Sequence, residues 1–173
     1  LIVLLLSIFQ GRPIFYKAKR AGFKNKDFYI YKFRTMYLNQ EKGGGDTTAL
    51  NDPRITPLGS LLRKFKLDEI PQMINVLKGE MSFVGPRPEL LFYTNQYNDL
   101  EKQILSVKPG ITDNHSINFS ALDKAAGEDD PDTVFETYIL PLKNKSRLEY
   151  SENISFIRDI RIIVKTFFVL IKK

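Results

Sequence analysis

The 173-residue sequence predicts an α-rich α+β fold, a small domain with one short β-hairpin and an apolar helix bearing or bordering cations at each end. Three observations lead there. Apolar residues recur at helical spacing in two adjacent segments, 57–65 and 69–78, bracketed by proline and glycine. One aromatic, β-favouring run, "FYIYKF", follows a turn at Gly22 to Asp27. The termini are the most continuously apolar stretches, "LIVLLLSIF" and "FIRDIRIIVKTFFVLIKK".

Composition narrows the chemistry. A 43% hydrophobic content supports a packed core and argues against disorder. The absence of cysteine excludes disulfides, thiolate metal sites and thiol nucleophiles, and the lone His115 cannot build a histidine cluster. Any catalysis therefore runs on carboxylates, hydroxyls and cations. The net charge of +6 predicts an anionic partner: nucleic acid, an acidic membrane surface or a phosphorylated substrate. No nucleic-acid motif is recognisable, and apolar ends are a liability for a soluble binder, so no nucleic-acid partner is expected.

The first nine residues fit either the end of a membrane-associated helix or a buried core helix, being about half of the roughly 20 residues a span requires. The strand region that follows, "YKAKRAGFKNKDFYIYKFRTM", is the most basic in the chain. Lys17, Lys19 and Arg20 there form either a solvated charged surface or a belt meeting lipid headgroups. Residues 39 to 58 read as a polar loop, and its triple glycine is not a phosphate-binding loop because no Gly-Lys-Ser/Thr follows. The helix over 57–65 carries Leu58, Leu61, Leu62 and Phe65. The helix over 69–78 carries Ile70, Met73, Ile74 and Leu77 on one face and keeps Asp68, Gln72 and Asn75 as a polar stripe opposite, ending at Gly79.

"MSFVGPRPE" then reads as a short extended run, a turn, and an arginine fixed between prolines, with Pro88 opening the next helix. The acidic run Glu128, Asp129, Asp130 and Asp132 reads as a solvated loop leading to a helix cap. In the C-terminal helix, residues 155–173, Arg158, Arg161, Lys165 and Lys172 make a single basic stripe, as an interfacial amphipathic helix requires, although an ordinary packed helix shares the pattern.

The adjacent carboxylates of "LDEIPQ" raise the chemical question. Neighbours on a helix diverge, so Asp68 and Glu69 do not share a proton and should have separate tasks. Asp68 fits an N-cap of the 69–78 helix. It also lies among arginines suited to phosphate, Arg63 and Arg87. A diphosphate held there meets two carboxylates, a repulsion that a hard divalent cation such as Mg²⁺ relieves while one carboxylate remains free to attack phosphorus. The competing reading is a non-catalytic peripheral membrane-binding module, which explains the basic ends and leaves the central block unexplained.

"YKFRTM", "LRKFKLDEIPQMINVLKGEMSFVGPRPE" and "VKPGIT", in this order and spacing, resemble the bacterial sugar transferases, the monotopic polyprenyl-phosphate phosphoglycosyl transferases. The resemblance runs from residue 1 to about 113 and resumes in "SFIRDIRIIVKT". It implies a bacterial inner-membrane enzyme with its catalytic domain on the cytoplasmic face, using Mg²⁺ to move a sugar-1-phosphate from a UDP-sugar to undecaprenyl (polyprenyl) phosphate. That is the first membrane step of polysaccharide or glycoconjugate synthesis, and anionic lipid is an implied partner. Asp68 matches the nucleophile and Glu69 the metal-binding neighbour. Arg63 and Arg87 match phosphate-holding arginines, and Lys32 with Arg34 falls in the corresponding basic segment. Residues 1–10 are implied to be the end of a re-entrant N-terminal helix whose Ser-Pro break lies just before Leu1, and 11–173 the catalytic domain. The chain departs from the family pattern at Ala18 and Arg20, where "QxR" is common, and after "VKPGIT", where it reads "DNHSINFS" and Ser120 replaces an expected arginine.

Overall fold

A computed structural model describes residues 1–38, 52–114 and 131–171; the triple-glycine loop, the acidic run 128–130, His115, Ser120 and Lys172 lie outside them. The chain opens with helix α1, Ile2–Phe9, whose Leu6 is buried while Leu4, Ile8 and Phe9 stay exposed. The expected hairpin follows as β1, Phe15–Ala21, and β2, Asp27–Phe33, paired antiparallel with Ala18 opposite Ile30. Period-two alternation puts Ala18, Phe28 and Ile30 against Met81 in one core and leaves Lys17, Lys19 and Tyr29 outside. Its turn needs left-handed backbone at Lys24 and Asn25, and Asn tolerates that conformation better than most residues.

Helix α2, Pro57–Lys64, starts where the sequence placed it. The Thr56 hydroxyl accepts from the Gly59 amide at 2.9 Å and Pro57 occupies the first turn. Its Leu62 packs with Leu6 and Phe33, tying α1 to the hairpin.

The segment expected as one helix over 69–78 is built differently. Lys66 turns left-handed (φ 57°), a 3₁₀ helix runs Leu67–Gln72, and α3, Met73–Leu77, completes it before Gly79 at φ +73°. Asp68 lies inside the 3₁₀ turn and caps nothing. A second correction concerns direction: the polar stripe faces inward. Gln72 and Asn75 are 0% exposed, whereas Ile70, Met73, Ile74 and Leu77 face outward, Leu77 at 85%. Asn75 explains the inversion. Its amide donates to the Tyr29 carbonyl at 2.8 Å and accepts from the Tyr31 amide at 3.2 Å, supplying β2 with the peptide pairing a third strand would give. A buried amide is tolerated because it completes the sheet edge.

Strand β3, Ser82–Val84, pairs parallel with β4, Gly110–Thr112. Pro88 does not open a helix. The Glu89 carbonyl accepts from Ala21 and the Pro86 carbonyl from Gly110, which keeps 86–89 extended until α4, Leu91–Thr94. A 3₁₀ turn, Glu101–Ser106, then leads to β4. The last third comprises α5, Pro131–Val134, a π-helical segment Phe135–Ile139, α6, Leu140–Glu152, and α7, Phe156–Ile171. A buried Arg147–Glu89 ion pair (2.9 Å) fastens α6 to the 86–89 segment, and Ile162 of α7 packs with Val84 and Tyr150. Among the described residues no helix is long and apolar enough to cross a membrane.

The β3–β4 crossing depends on two glycines. A Cβ on Gly110 would lie 2.1 Å from the Gly85 nitrogen, a backbone atom that cannot step aside. Gly110→Ala is therefore expected to lower stability by about 3 kcal/mol, the upper end of overpacking effects, read as a shift in the thermal or urea midpoint. An unchanged midpoint would show that the crossing relaxes freely.

Candidate active site

The 3₁₀ helix places Asp68 and Glu69 on the inward side of the chain, each 6% exposed, between β2, α2 and the Pro86–Pro88 segment. The neighbours have opposite environments. Glu69 is fully engaged: Arg87 donates to it bidentately, Nη2 to Oε1 and Nη1 to Oε2, both at 2.7 Å, and Lys32 Nζ donates to Oε1 at 3.0 Å. Burial alone would raise its pKa, but Arg87 and Lys32 together outweigh burial and hold the carboxyl well below the usual range. Asp68 has no such clamp. Its Oδ1 is buried without a hydrogen-bond partner, and burial, reinforced by the Glu69 charge, pushes its pKa up against the pull of Lys32, Lys66 and Arg63.

The surrounding cations are placed by separate elements. Arg63, on the last turn of α2, donates through Nε to the Thr35 hydroxyl at 2.8 Å, leaving its terminal nitrogens out of that bond. Burial lowers its pKa, with Asp68 opposing. Arg87 is fixed on three sides: the Glu69 carboxylate, the Ile111 carbonyl that also accepts from Nη1, and Asp113, which accepts from its backbone amide at 3.4 Å. Lys66 owes its place to the left-handed turn that starts the 3₁₀ helix.

Of the residues singled out from sequence, Lys32, Arg63, Asp68, Glu69 and Arg87 come together. Arg34 does not join their contacts. Its Nη2 donates to the carbonyls of Gln10, in a short contact, and Gly11, at 2.9 Å, bracing the end of α1 against the hairpin. The hairpin cations are partly self-satisfied: Lys19 pairs with Asp27, Lys17 lies over the Tyr31 ring, and Arg20 donates to the Lys19 carbonyl. On α7, Arg158 bends back to Glu149 at 2.9 Å, whereas Arg161 and Lys165 are exposed. Sequence reasoning missed Thr35, Lys66 and Asp113. Thr35 lies inside "YKFRTM", Lys66 inside the long central run just before Leu67, and Asp113 directly follows "VKPGIT", so their place in these runs was the available signal.

Mg²⁺ needs hard oxygen donors with open lone pairs. Among the described residues no group of three or more His, Asp or Glu could hold a metal ion. Three of the roughly four lone-pair positions of Glu69 are used, which leaves one on Oε2, and Asp68 Oδ1 is orphaned. One hard carboxylate oxygen completed by substrate phosphates and water is an ordinary Mg²⁺ shell, so Glu69 fits the ion while Asp68 stays free.

Two carboxylates set among Lys32, Arg63, Lys66 and Arg87 are a charge arrangement suited to phosphate chemistry. The family model described as "Bacterial sugar transferase" matches residues 1–173, and the chain belongs to that family. It is similar to the sugar transferase EpsL of Bacillus subtilis (44% identity; 62% of this chain, 52% of the relative). It also resembles the UDP-glucose:undecaprenyl-phosphate glucose-1-phosphate transferase of Xanthomonas campestris (37%; 89% and 31%). A third relative is the undecaprenyl-phosphate galactose phosphotransferase of Salmonella typhimurium (34%; 95% and 34%). The chain thus spans about half the length of the first of these relatives and about a third of the other two.

Proposed function

We propose that this chain carries the catalytic centre of a phosphoglycosyl transferase, moving a sugar-1-phosphate from a UDP-sugar to undecaprenyl phosphate at the cytoplasmic face of a bacterial inner membrane. The observation that carries the reading is the asymmetry of the adjacent acids: Glu69 neutralised by Arg87 and Lys32, Asp68 buried with an unpartnered oxygen. A desolvated carboxylate without donors is a reactive nucleophile. Asp68 attacks the β-phosphorus of the donor, the bond from that phosphorus to the bridging oxygen breaks, and the electron pair leaves with UMP. A phosphate oxygen of the acceptor then attacks the same phosphorus, forming the new P–O–P link and returning Asp68 as a carboxylate. Charge is conserved across both steps.

The cations have matching tasks. Arg63, with its terminal nitrogens not used by Thr35, and Lys66 are available to the donor phosphates, and Arg87 with Lys32 fixes Glu69 so that the charge beside Asp68 does not wander. Mg²⁺, held by Glu69, would supply charge neutralisation at the diphosphate and leave Asp68 free to attack. The exposed apolar face of Ile70, Met73, Ile74 and Leu77, together with Arg161 and Lys165, is suited to contact with anionic lipid.

The test uses a UDP-sugar labelled at the β-phosphate, with Mg²⁺ and no acceptor. Label should become covalently attached to protein with one UMP released per label, then discharge on adding undecaprenyl phosphate. Binding to anionic liposomes with no UMP release from any UDP-sugar would instead support a non-catalytic membrane-binding module.

A further inference from the structure

A cavity of about 360 Å³ opens beside the acid pair, between the 3₁₀ helix, the β3–β4 pair and α7. Its wall is mainly apolar, with Phe65, Ile70, Met73, Phe83, Val169 and Leu170 contributing. Two hydroxyls that could wet it, Thr112 and Thr166, bond each other at 2.7 Å, and Thr166 also donates to the Ile162 carbonyl. The remaining polar groups of the wall are Lys66, Glu69 and Arg87, members of the acid and cation cluster. An apolar slot that ends on Lys66 and on an Arg87 that neutralises Glu69 is complementary to an amphiphile with an anionic head. The inverted face of the 67–77 segment gives the way in, since Ile70 and Met73 line the cavity and also belong to the exposed apolar surface.

We propose that this cavity seats the phosphate-proximal isoprene units of the polyprenyl phosphate acceptor, an assignment that rests on the transferase reading above. At roughly 30 Å³ per water-sized group the space holds about 12 heavy atoms, about two isoprene units. The rest of the lipid stays in the bilayer. Because the chain moves from one hydrocarbon environment to another, the cavity adds little affinity. What it adds is register: the two seated units set how far the lipid phosphate reaches, and so bring its oxygen to the phosphorus carried on Asp68. Charge complementarity from Lys66 and Arg87 fixes the other end.

The experiment separates the two half-reactions in the membrane-embedded protein. Val169→Trp and Leu170→Trp each fill the slot, and Phe168→Trp, on the exposed side of α7, is the control. The filled variants should acquire label from the β-labelled UDP-sugar, and exchange it back with UMP, at the wild-type rate. Their discharge to undecaprenyl phosphate should slow at least tenfold, while the control discharges normally. Equal slowing of both half-reactions, or of neither, overturns the assignment. Loss of labelling in the wild type itself would sink the transferase reading instead. If neither filled variant folds, wild-type protein decides: a polyprenyl phosphate bearing a diazirine in its first two isoprene units should crosslink to peptides containing Phe83 or Val169 and Leu170. Crosslinks confined to α1 or the hairpin overturn the assignment.

Discussion

Asp68→Asn is expected to remove covalent labelling and turnover, a fall of at least about 10⁴-fold, while leaving the fold more stable than wild type. The two effects share one cause. Asp68 is a buried carboxylate whose Oδ1 has no partner and whose neighbour is another carboxylate, so its pKa is raised, by burial first and by Glu69 second. A raised folded-state pKa means that the stability linked to this proton is fully present below the unfolded value, near 3.8, and is lost as pH rises through the folded value. At neutral pH the wild type therefore carries a penalty that the amide removes. About 1–2 kcal/mol, or a few degrees in melting temperature, is the expected gain, and it should shrink toward zero as pH falls to 4. The same titration predicts that the acid limb of the labelling rate lies above the ordinary aspartate pKa. Normal labelling of Asp68→Asn would dismiss the nucleophile; a variant less stable than wild type at pH 7 would dismiss the stored penalty.

The stability gain could not have been read from the sequence, and the reason is specific. Periodicity marks two faces on a helix but carries no sign for which one meets the core. The hairpin, the start of α2 at Pro57 and the stop at Gly79 were legible because turn and helix-end chemistry is local. The 67–77 segment was legible as amphipathic and illegible in direction, since its orientation is decided by Asn75 meeting the edge of β2 more than 40 residues away. Once that amide faces inward, Asp68 and Gln72 are buried with it and the apolar residues are left outside. Arg34 shows the opposite failure. A basic residue two positions from Lys32 in a strand shares its face in principle, but Arg34 lies just beyond the end of β2, where its side chain meets the carbonyls that close α1. The Arg147–Glu89 tie, 58 residues apart, left no local trace at all.

Arg87→Met is expected to destabilise the protein by about 3–5 kcal/mol, because it leaves Glu69 buried with Lys32 as its remaining direct partner. Glu69→Gln should be nearly as costly, stranding the Arg87 and Lys32 charges. The double variant Glu69→Met/Arg87→Met should lie closer to wild type than the two single effects sum to, since the unpaired charge accounts for most of each loss. Here the pH sign is opposite to that of Asp68. The folded-state pKa of Glu69 is depressed, so its stabilisation is present above the unfolded value of about 4.5 and is lost as pH falls through the lower folded value. Wild type and Arg87→Met should therefore differ most at neutral pH and converge in strong acid, whereas wild type and Asp68→Asn converge already near pH 4. Denaturant midpoints across pH 2 to 8 measure both. Adjacent acids with opposed linkage are what a divided site requires, one carboxylate held ionised and fixed, the other held reactive. If Arg87→Met melted like wild type at every pH, the clamp on Glu69 would not exist in solution and the division of labour would fall with it.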